Sequence, residues 1–488
     1  MRKITYHIQQ IAIFIVMVSL VSVGCSKVEL DENPPSLLNP DNFFTTEGEF
    51  NAALAGAFRP LYSDWVGFDY AYPLIMTSGA EDVRSDAGIY INFNRLTPTG
   101  DDQALIEVWK QFYQTIANAN TIIGNLSNAE NISEDKLNEI EGQAKFIRAF
   151  SYFYLVRWFG EVQLTTFENQ KDVETIKQSS VAEVYASIIE NLKDAETKLP
   201  ESFEEKGRPT KGAAKTLLAK VYLTMAGWPL EQSEYYTLAK EKAGEVIGMY
   251  ELEPDFAGLW KEENKLTNSE FIFTFYGSIR DGGVSGSHMH TASRHWGNGE
   301  GGWGDFYSED RFYNIFPEGP RKEASFTAVF ADGTTWEDAG VQPHIAKYRD
   351  AGQTVGNNGE GFNVLLRYAD VLLMYAEAAN MADGGPSTEA LKAINMVRRR
   401  AMGLDINTPD LSVDVPSGIS QADFDKAVIE ERNWELAFEM NRWFDLVRKK
   451  MVVEVNKDLH PNVSENNRLL PKPSAQLIPG ILEQNQGY

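Results

Sequence analysis

The sequence predicts a mainly α fold: successive helical hairpins that carry a large, irregular, loop-rich face. Two observations predict it. Beyond the N-terminal segment, apolar residues recur at three- and four-residue steps in segments joined by short connectors, the pattern of antiparallel helix pairs in a solenoid. No strict 34-residue period is present, so the pairs are repeat-like and not a regular array. Two long stretches, about 60–100 and 250–345, break that pattern and are rich in aromatic residues. Loops of that length in a compact protein are functional or disordered, and their aromatic content argues against disorder.

The elements follow in order. Trp109, Phe112, Tyr113, Ile116, Ile123 and Leu126 mark one helix face within Val108–Leu126. Ser133 suits the N-cap of the next helix, with Glu134 and Asp135 in its first turn; that helix should run to Phe159 and stop at Gly160. Ser180 and Glu183 form a capping-box pattern ahead of Val184, Ile188 and Leu192, with Pro200 after the end. Thr210 caps "KGAAKTLLAKVYLTMAG", and a shorter helix covers Tyr235–Ile247. "EFIFTFYGS" reads as a short strand, while 281–345 shows no helical stripe. Helices resume at "NVLLRYADVLLMYAEAANM" and "TEALKAINMVRRRAMG", where Gly403 suits the stop. Ser420 and Asp423 open a last long helix through Lys449, and the Pro-punctuated tail reads as irregular chain on the surface.

Composition narrows the function. The formal net charge is −25, which repels nucleic acid and anionic membrane surfaces, so a neutral ligand or a protein partner fits better. Ten Trp, 20 Tyr and 27 Phe supply both core and recognition surfaces. A single cysteine, Cys25, rules out an internal disulfide and any Cys-based zinc site. Arg2 and Lys3 precede the uncharged run Ile11–Val23, which is shorter than the ~20 residues of a spanning helix and reads as a secretory signal. The order basic, apolar, small, Cys resembles a bacterial lipoprotein signal, with Ser22 where that pattern usually has Leu or Val. It implies residues 1–24 as signal peptide and Cys25 as the lipid attachment site. Residues 25–40 read as a flexible leash, followed by an N-terminal helical region, 41–250, and a C-terminal region, 251–488, packed together as one globular unit.

Motif by motif, chemistry is sparse. "GNGEGG" places Gly297, Gly299 and Gly302 in a G-x-G-x-x-G spacing, but no strand precedes it, no helix follows, and Glu300 would repel a pyrophosphate; it reads as a Gly loop carrying two tryptophans. His288, His290 and His295 lie in so Gly-rich a context that the spacing imposes no metal geometry, and they read as solvated or sugar-contacting. No nucleophile elbow or Walker loop occurs, and no Asp/Glu pair stands in a recognisable hydrolase context. Glu431, Glu435 and Glu439 fall on one helix face close to Arg432, Arg442 and Arg448, and read as a structural ion-pair network. No catalytic residue, metal or cofactor is expected.

Five stretches carry a family likeness: "GQAKFIRAFSYFYLVRWFGEVQL" (Gly142–Leu164), "GRPTKGAAKTLLAKVYL" (Gly207–Leu223), "RYADVLLMYAEAAN" (Arg367–Asn380), "ERNWELAFEMNRWFDLVR" (Glu431–Arg448) and "LLPKPSAQLIPG" (Leu469–Gly480). Each resembles a signature of the SusD/RagB outer-membrane lipoproteins of Bacteroidetes, and together they bracket most of the chain in the family's order. The resemblance implies helical hairpins similar to tetratricopeptide pairs, a lipid-anchored nutrient-binding protein at the cell surface, and a TonB-dependent SusC-like transporter as partner. It implies a glycan as cargo, with a RagB-like peptide binder as the alternative. A surface glycoside hydrolase is the remoter rival, and it would need a carboxyl pair across a cleft, which the sequence does not show in context.

The five stretches read as scaffold, so ligand residues are argued from chemistry. Sugars offer flat C–H faces, on which Trp and Tyr stack, and hydroxyl rims for Asn, Asp, Arg and His. The first excursion offers Trp65, Tyr70, Tyr72, Asp86, Tyr90, Asn92 and Asn94; the second offers Arg294, Trp296, Asn298 and Trp303. Residues 281–304 hold eight glycines, which cannot bury an indole, so Trp296 and Trp303 are expected to be partly exposed.

Overall fold

Each helix is fixed by local signals and then packed on its neighbour in sequence. The structure, a computed structural model, describes residues 43–62, 67–68, 77, 79–278, 287–293, 295, 302–330, 332–350 and 359–488. The signal, Cys25 and the leash lie outside the described residues, as do Trp65, Tyr70, Tyr72, Arg294, Trp296 and Asn298. Residues 45–488 cohere as one unit.

Helix α1, Glu47–Tyr62, packs on α2, Gln103–Gly124. In α3, Glu134–Phe159, Ser133 accepts the Lys136 N–H at 3.4 Å, and Gly160 ends the helix at φ 68°. Nearly every residue from Phe146 to Phe159 is buried, because α2 and α4, Val181–Lys198, cover α3 from two sides. The predicted capping box opens α4: Glu183 N–H donates to Ser180 Oγ at 3.3 Å and Ser180 N–H to Glu183 at 2.8 Å. The succession continues through α5, Lys211–Met225, α6, Tyr235–Gly244, and α7, Tyr368–Asp383, each packed on the one before. Helices α8, Thr388–Ala401, and α9, Gln421–Glu435, both pack on α7, and α10, Arg442–Arg448, follows α9. This is the mainly α array of hairpins that the periodicity predicts. No helix among the described residues is long and apolar enough to cross a membrane.

Strands supply the remainder. Val83–Arg84 (β1) lies in the first excursion, and Val162–Gln163 (β2) pairs with Gln178–Ser179 (β3). The predicted strand is Phe271–Tyr276 (β4), and its partner, Phe362–Arg367 (β8), is a correction: the start of "NVLLRYADVLL" is strand, with all six residues buried. Burial on both faces removes the alternation that would mark a strand. Three further strands, Tyr307–Ser308 (β5), Phe326–Thr327 (β6) and His344–Ile345 (β7), join β1 in an antiparallel sheet of order β1-β5-β7-β6.

The second excursion is less irregular than predicted. It holds short helices at Ser287–Thr291, Asp310–Ile315 and Pro320–Ser325. It also brings its own core: Phe312 stacks on Trp434 at 5.4 Å and Phe326 meets Phe438 edge-on at 5.2 Å. The tail likewise enters the body, with Leu470 and Lys472 buried and Leu470 N–H donating to Trp158 O at 2.7 Å.

The last long helix is broken, another correction. Helix α9 ends at Glu435, and 436–441 is non-helical, with Phe438 at φ 66° and Met440 at φ 59°. Backbone in that region costs a non-glycine residue about 1–3 kcal/mol and persists only when its surroundings over-determine it. Here the first excursion and the segment directly after the second do so. Asp82 accepts Phe438 N–H at 2.9 Å, and Tyr348 Oη donates to Phe438 O at 2.7 Å.

The predicted glutamate network is present, with different partners. Glu435 pairs with Arg367 (2.6 Å) and Arg321 (3.0 Å), Glu439 with Arg367 (2.7 Å) and Lys347 (2.6 Å), and Glu270 with Arg367 (2.8 Å) and Arg400 (3.0 Å). Glu439 sits in the break and not on the helix face. Arg432 turns instead to Asp370, Arg442 to Glu81 and Arg448 to Glu377. Arg321 belongs to the second excursion and Lys347 follows directly on it, so the network ties that excursion to the scaffold.

Candidate functional site

Two excursions meet in one surface, through residues more than 200 apart in sequence. The ladder Val83↔Ser308 and Arg84↔Tyr307 joins them. Tyr307 Oη donates to Asp86, and Arg84 faces Glu309 at 3.3 Å. Tyr90 stacks on Phe306 with centroids 5.5 Å apart, and Phe306 touches His290 at 5.8 Å. His290 meets Trp303 edge-on at 4.9 Å and its Nδ1 bonds Asp305 at 2.8 Å. A contiguous chain of contacts therefore runs from Asp86 to Trp303.

Trp303 is 40% exposed, as the glycine-rich flanks predict, while its backbone N–H is held by Met289 O at 2.6 Å. Close approach requires Gly302 there: a Cβ on it would lie 2.6 Å from Met289 O and 2.7 Å from Ala292 Cβ. The ring is thus half in solvent on a fixed backbone, with His290 and Asp305 behind it. Asp86 is exposed and sits at the other end of the contact chain. Nearby in sequence, His295 bonds Asp332 at 3.1 Å and stacks on Phe330 at 4.9 Å.

Other predicted residues sit differently. Tyr90 and Asn94 are buried, at 3% and 5% exposure, so neither presents a face to solvent; burial also raises the Tyr90 hydroxyl pKa well above its ordinary value, with Asp305 adding to it. Asn92 Nδ2 donates to Asp102, the residue just ahead of α2, at 2.8 Å. His288 and His290 are buried, not solvated. Among the described residues, no group of three His, Cys, Asp or Glu is arranged to hold a metal ion.

Sequence reasoning missed Arg84, Asp305, Tyr307 and Glu309. Two-residue strands carry no periodicity, and nothing in "WGDFYSED" shows that its tyrosine meets Asp86. Burial raises the Glu309 carboxyl, and Arg84 works against that shift. Among the described residues, the surface offers one aromatic platform and several carboxylates already engaged: Asp86 by Tyr307, Asp305 by His290, Asp332 by His295 and Glu309 by Arg84. Fixed acceptors of this kind orient hydroxyl groups.

Fold and surface together define a class: a helical-hairpin scaffold whose two inserted excursions converge on one loop-built face. Residues 270–478 match the SusD family model, and residues 68–223 match a second model described as starch-binding and associating with the outer membrane. SusD-like protein P2 of Formosa agariphila is 31% identical across 97% of this chain and 99% of its own length. The chain belongs to the SusD family. A SusD homologue of Bacteroides thetaiotaomicron superposes with a TM-score of 0.80 at 23% identity, covering 92% of this chain and 98% of its own. A laminarin-binding SusD-like protein superposes at 0.76 with 24% identity, covering 91% and 100%. These two show the shared fold.

Proposed function

We propose that this protein is a non-catalytic, lipid-tethered glycan-binding protein of the outer membrane surface that hands its cargo to a SusC-like TonB-dependent transporter. The observation that carries the binding role is Trp303: a half-exposed indole, fixed at its backbone and backed by His290, on a face that exists only where the two excursions meet. Such a ring stacks on the C–H face of a sugar, and the flanking carboxylates accept from its hydroxyls. Glycan cargo is supported by the laminarin-binding neighbour and the starch-binding family description. Tethering rests on Cys25 and the signal ahead of it. A binding role without turnover is supported by the engagement of four described carboxylates on the face, Asp86, Asp305, Asp332 and Glu309, since a glycosidase needs one carboxyl held as a proton donor and a second free to act on the sugar.

The test is a calorimetric binding screen of the purified protein against starch, laminarin, an acidic polysaccharide and mixed peptides. Binding to a neutral glycan with no new reducing ends after hours supports the reading; binding to peptides alone, or turnover that tracks the protein, replaces it. For the tether, Cys25→Ala should leave the protein unprocessed or released from membranes, and a variant as membrane-bound as the parent contradicts it.

A further inference from the structure

Away from the excursions, a pocket of about 270 Å³ lies among the C-terminal end of α3, the start of α4, the end of α5, α10 and the tail. It shares no lining residue with the surface around Trp303. Its walls are in good part apolar, with Val156, Phe444, Val447 and Leu469 among them.

Its charges are unusual for a chain of net charge −25. Arg157, 7% exposed, lines the pocket with both faces of its guanidinium covered, by Phe153 and Phe444 at 3.7 Å each, and its Nε donates to Phe153 O at 2.9 Å. Lys472, 1% exposed, donates to Gln178 Oε1 at 3.0 Å and Glu483 O at 2.7 Å. Among the described residues, neither cation is ion-paired with a carboxylate, whereas the third lining cation, Arg448, is neutralised by Glu377 at 2.7 Å and Asp445 at 2.8 Å. The one acidic residue lining the pocket, Glu161, is exposed at its mouth and is held by Gln178. A buried cation is stable when paired. Among the described residues, neither of these two cations has a carboxylate at ion-pair distance: Asp445 acts on Arg157, and Glu161 and Glu483 on Lys472, only from further away. Burial lowers Lys472 to about 8, and Glu161 and Glu483 only partly offset it.

We propose that this pocket binds a small carboxylate whose charge sits between Arg157 and Lys472 and whose less polar body lies against Phe444 and Leu469. Apolar walls favour a carboxylate over a compact, fully hydrated anion such as phosphate, and the volume limits the occupant to a single small molecule or one carboxylated sugar unit.

The test measures melting and calorimetric affinity of the full chain with five probes: benzoate, glucuronate, inorganic phosphate, and the neutral partner of each carboxylate, benzyl alcohol and glucose. Benzoate or glucuronate should raise the melting temperature when its neutral partner does not, and which of them does so separates a free acid from a sugar acid. Lys472→Met should weaken that binding at least tenfold. Gln486→Glu, an exposed change at the mouth that leaves the core intact, should weaken it several-fold by repulsion and keeps the test decisive should Lys472→Met fail to fold. Trp303→Ala should leave it unchanged. Equal effects of charged and neutral probes, preference for phosphate, no binding by either carboxylate, or full affinity in Gln486→Glu would overturn the proposal.

Discussion

The carboxylate of Asp82 accepts the backbone N–H of Phe438 at 2.9 Å, across 356 residues of chain. Phe438 lies in the break between α9 and α10, and Tyr348 holds its carbonyl from the other side. The break is therefore where the first excursion and the segment directly after the second are fastened, and the strained backbone there is what lets one short segment serve both.

Asp82 itself gives a pH signature. Burial raises its carboxyl from 3.8 to about 6, against the opposing bond from Phe438. A raised acid is protonated more readily in the folded state, so its contribution is most favourable below pH ~4 and is lost as pH rises through about 6. Asp82→Asn keeps an acceptor for Phe438 and removes the titration. Relative to Asp82→Asn, the parent should lose stability between pH 4 and 7, as read from urea midpoints at each pH; parallel curves would contradict the assignment.

Glu435 should behave in the opposite sense. Burial alone would raise its carboxyl, but Arg400, Arg367 and Arg321 overcome that and hold it well below the usual range. Its stabilisation is complete above pH ~4.5 and is lost as pH falls below that value. Glu435→Gln leaves three buried guanidinium groups short of charge, so it should cost about 3–5 kcal/mol in chemical denaturation at pH 7. The same change should flatten the acid limb of the parent's stability profile. A loss under about 1 kcal/mol would show that the network is replaceable.

Asp86 and Tyr307 join the two excursions directly. Asp86→Ala, Tyr307→Phe and the double variant form a cycle, and residues in one hydrogen bond should couple by about 0.5–3 kcal/mol. Additive effects within about 0.3 kcal/mol would mean that the excursions do not support each other there.

Most of the scaffold was legible because its signals are local. Ser133, the Ser180/Glu183 box and Thr210 cap the helices that follow them, and Gly160 and Gly403 end helices with positive φ. The break at 436–441 was not legible, because its sequence is helix-compatible and its partners, Asp82, Tyr348, Lys347 and Arg367, are remote in sequence. Strand β8 was hidden by burial on both faces. At the site, composition alone indicated an exposed Trp303, since eight glycines surround it. The burial of Tyr90 was not legible, because its cover, Phe306, lies 216 residues further on, beyond any local pattern.

The proposed function rests on Trp303 as a binding platform and not as core. Trp303→Ala and the parent should be compared by calorimetry with the glycan identified in the screen, alongside their melting temperatures. Losing one stacking ring should weaken binding by about 1–3 kcal/mol, or roughly 5- to 150-fold, while stability changes by only about 0.5 kcal/mol. A variant that binds like the parent, or one that melts far lower, would contradict it.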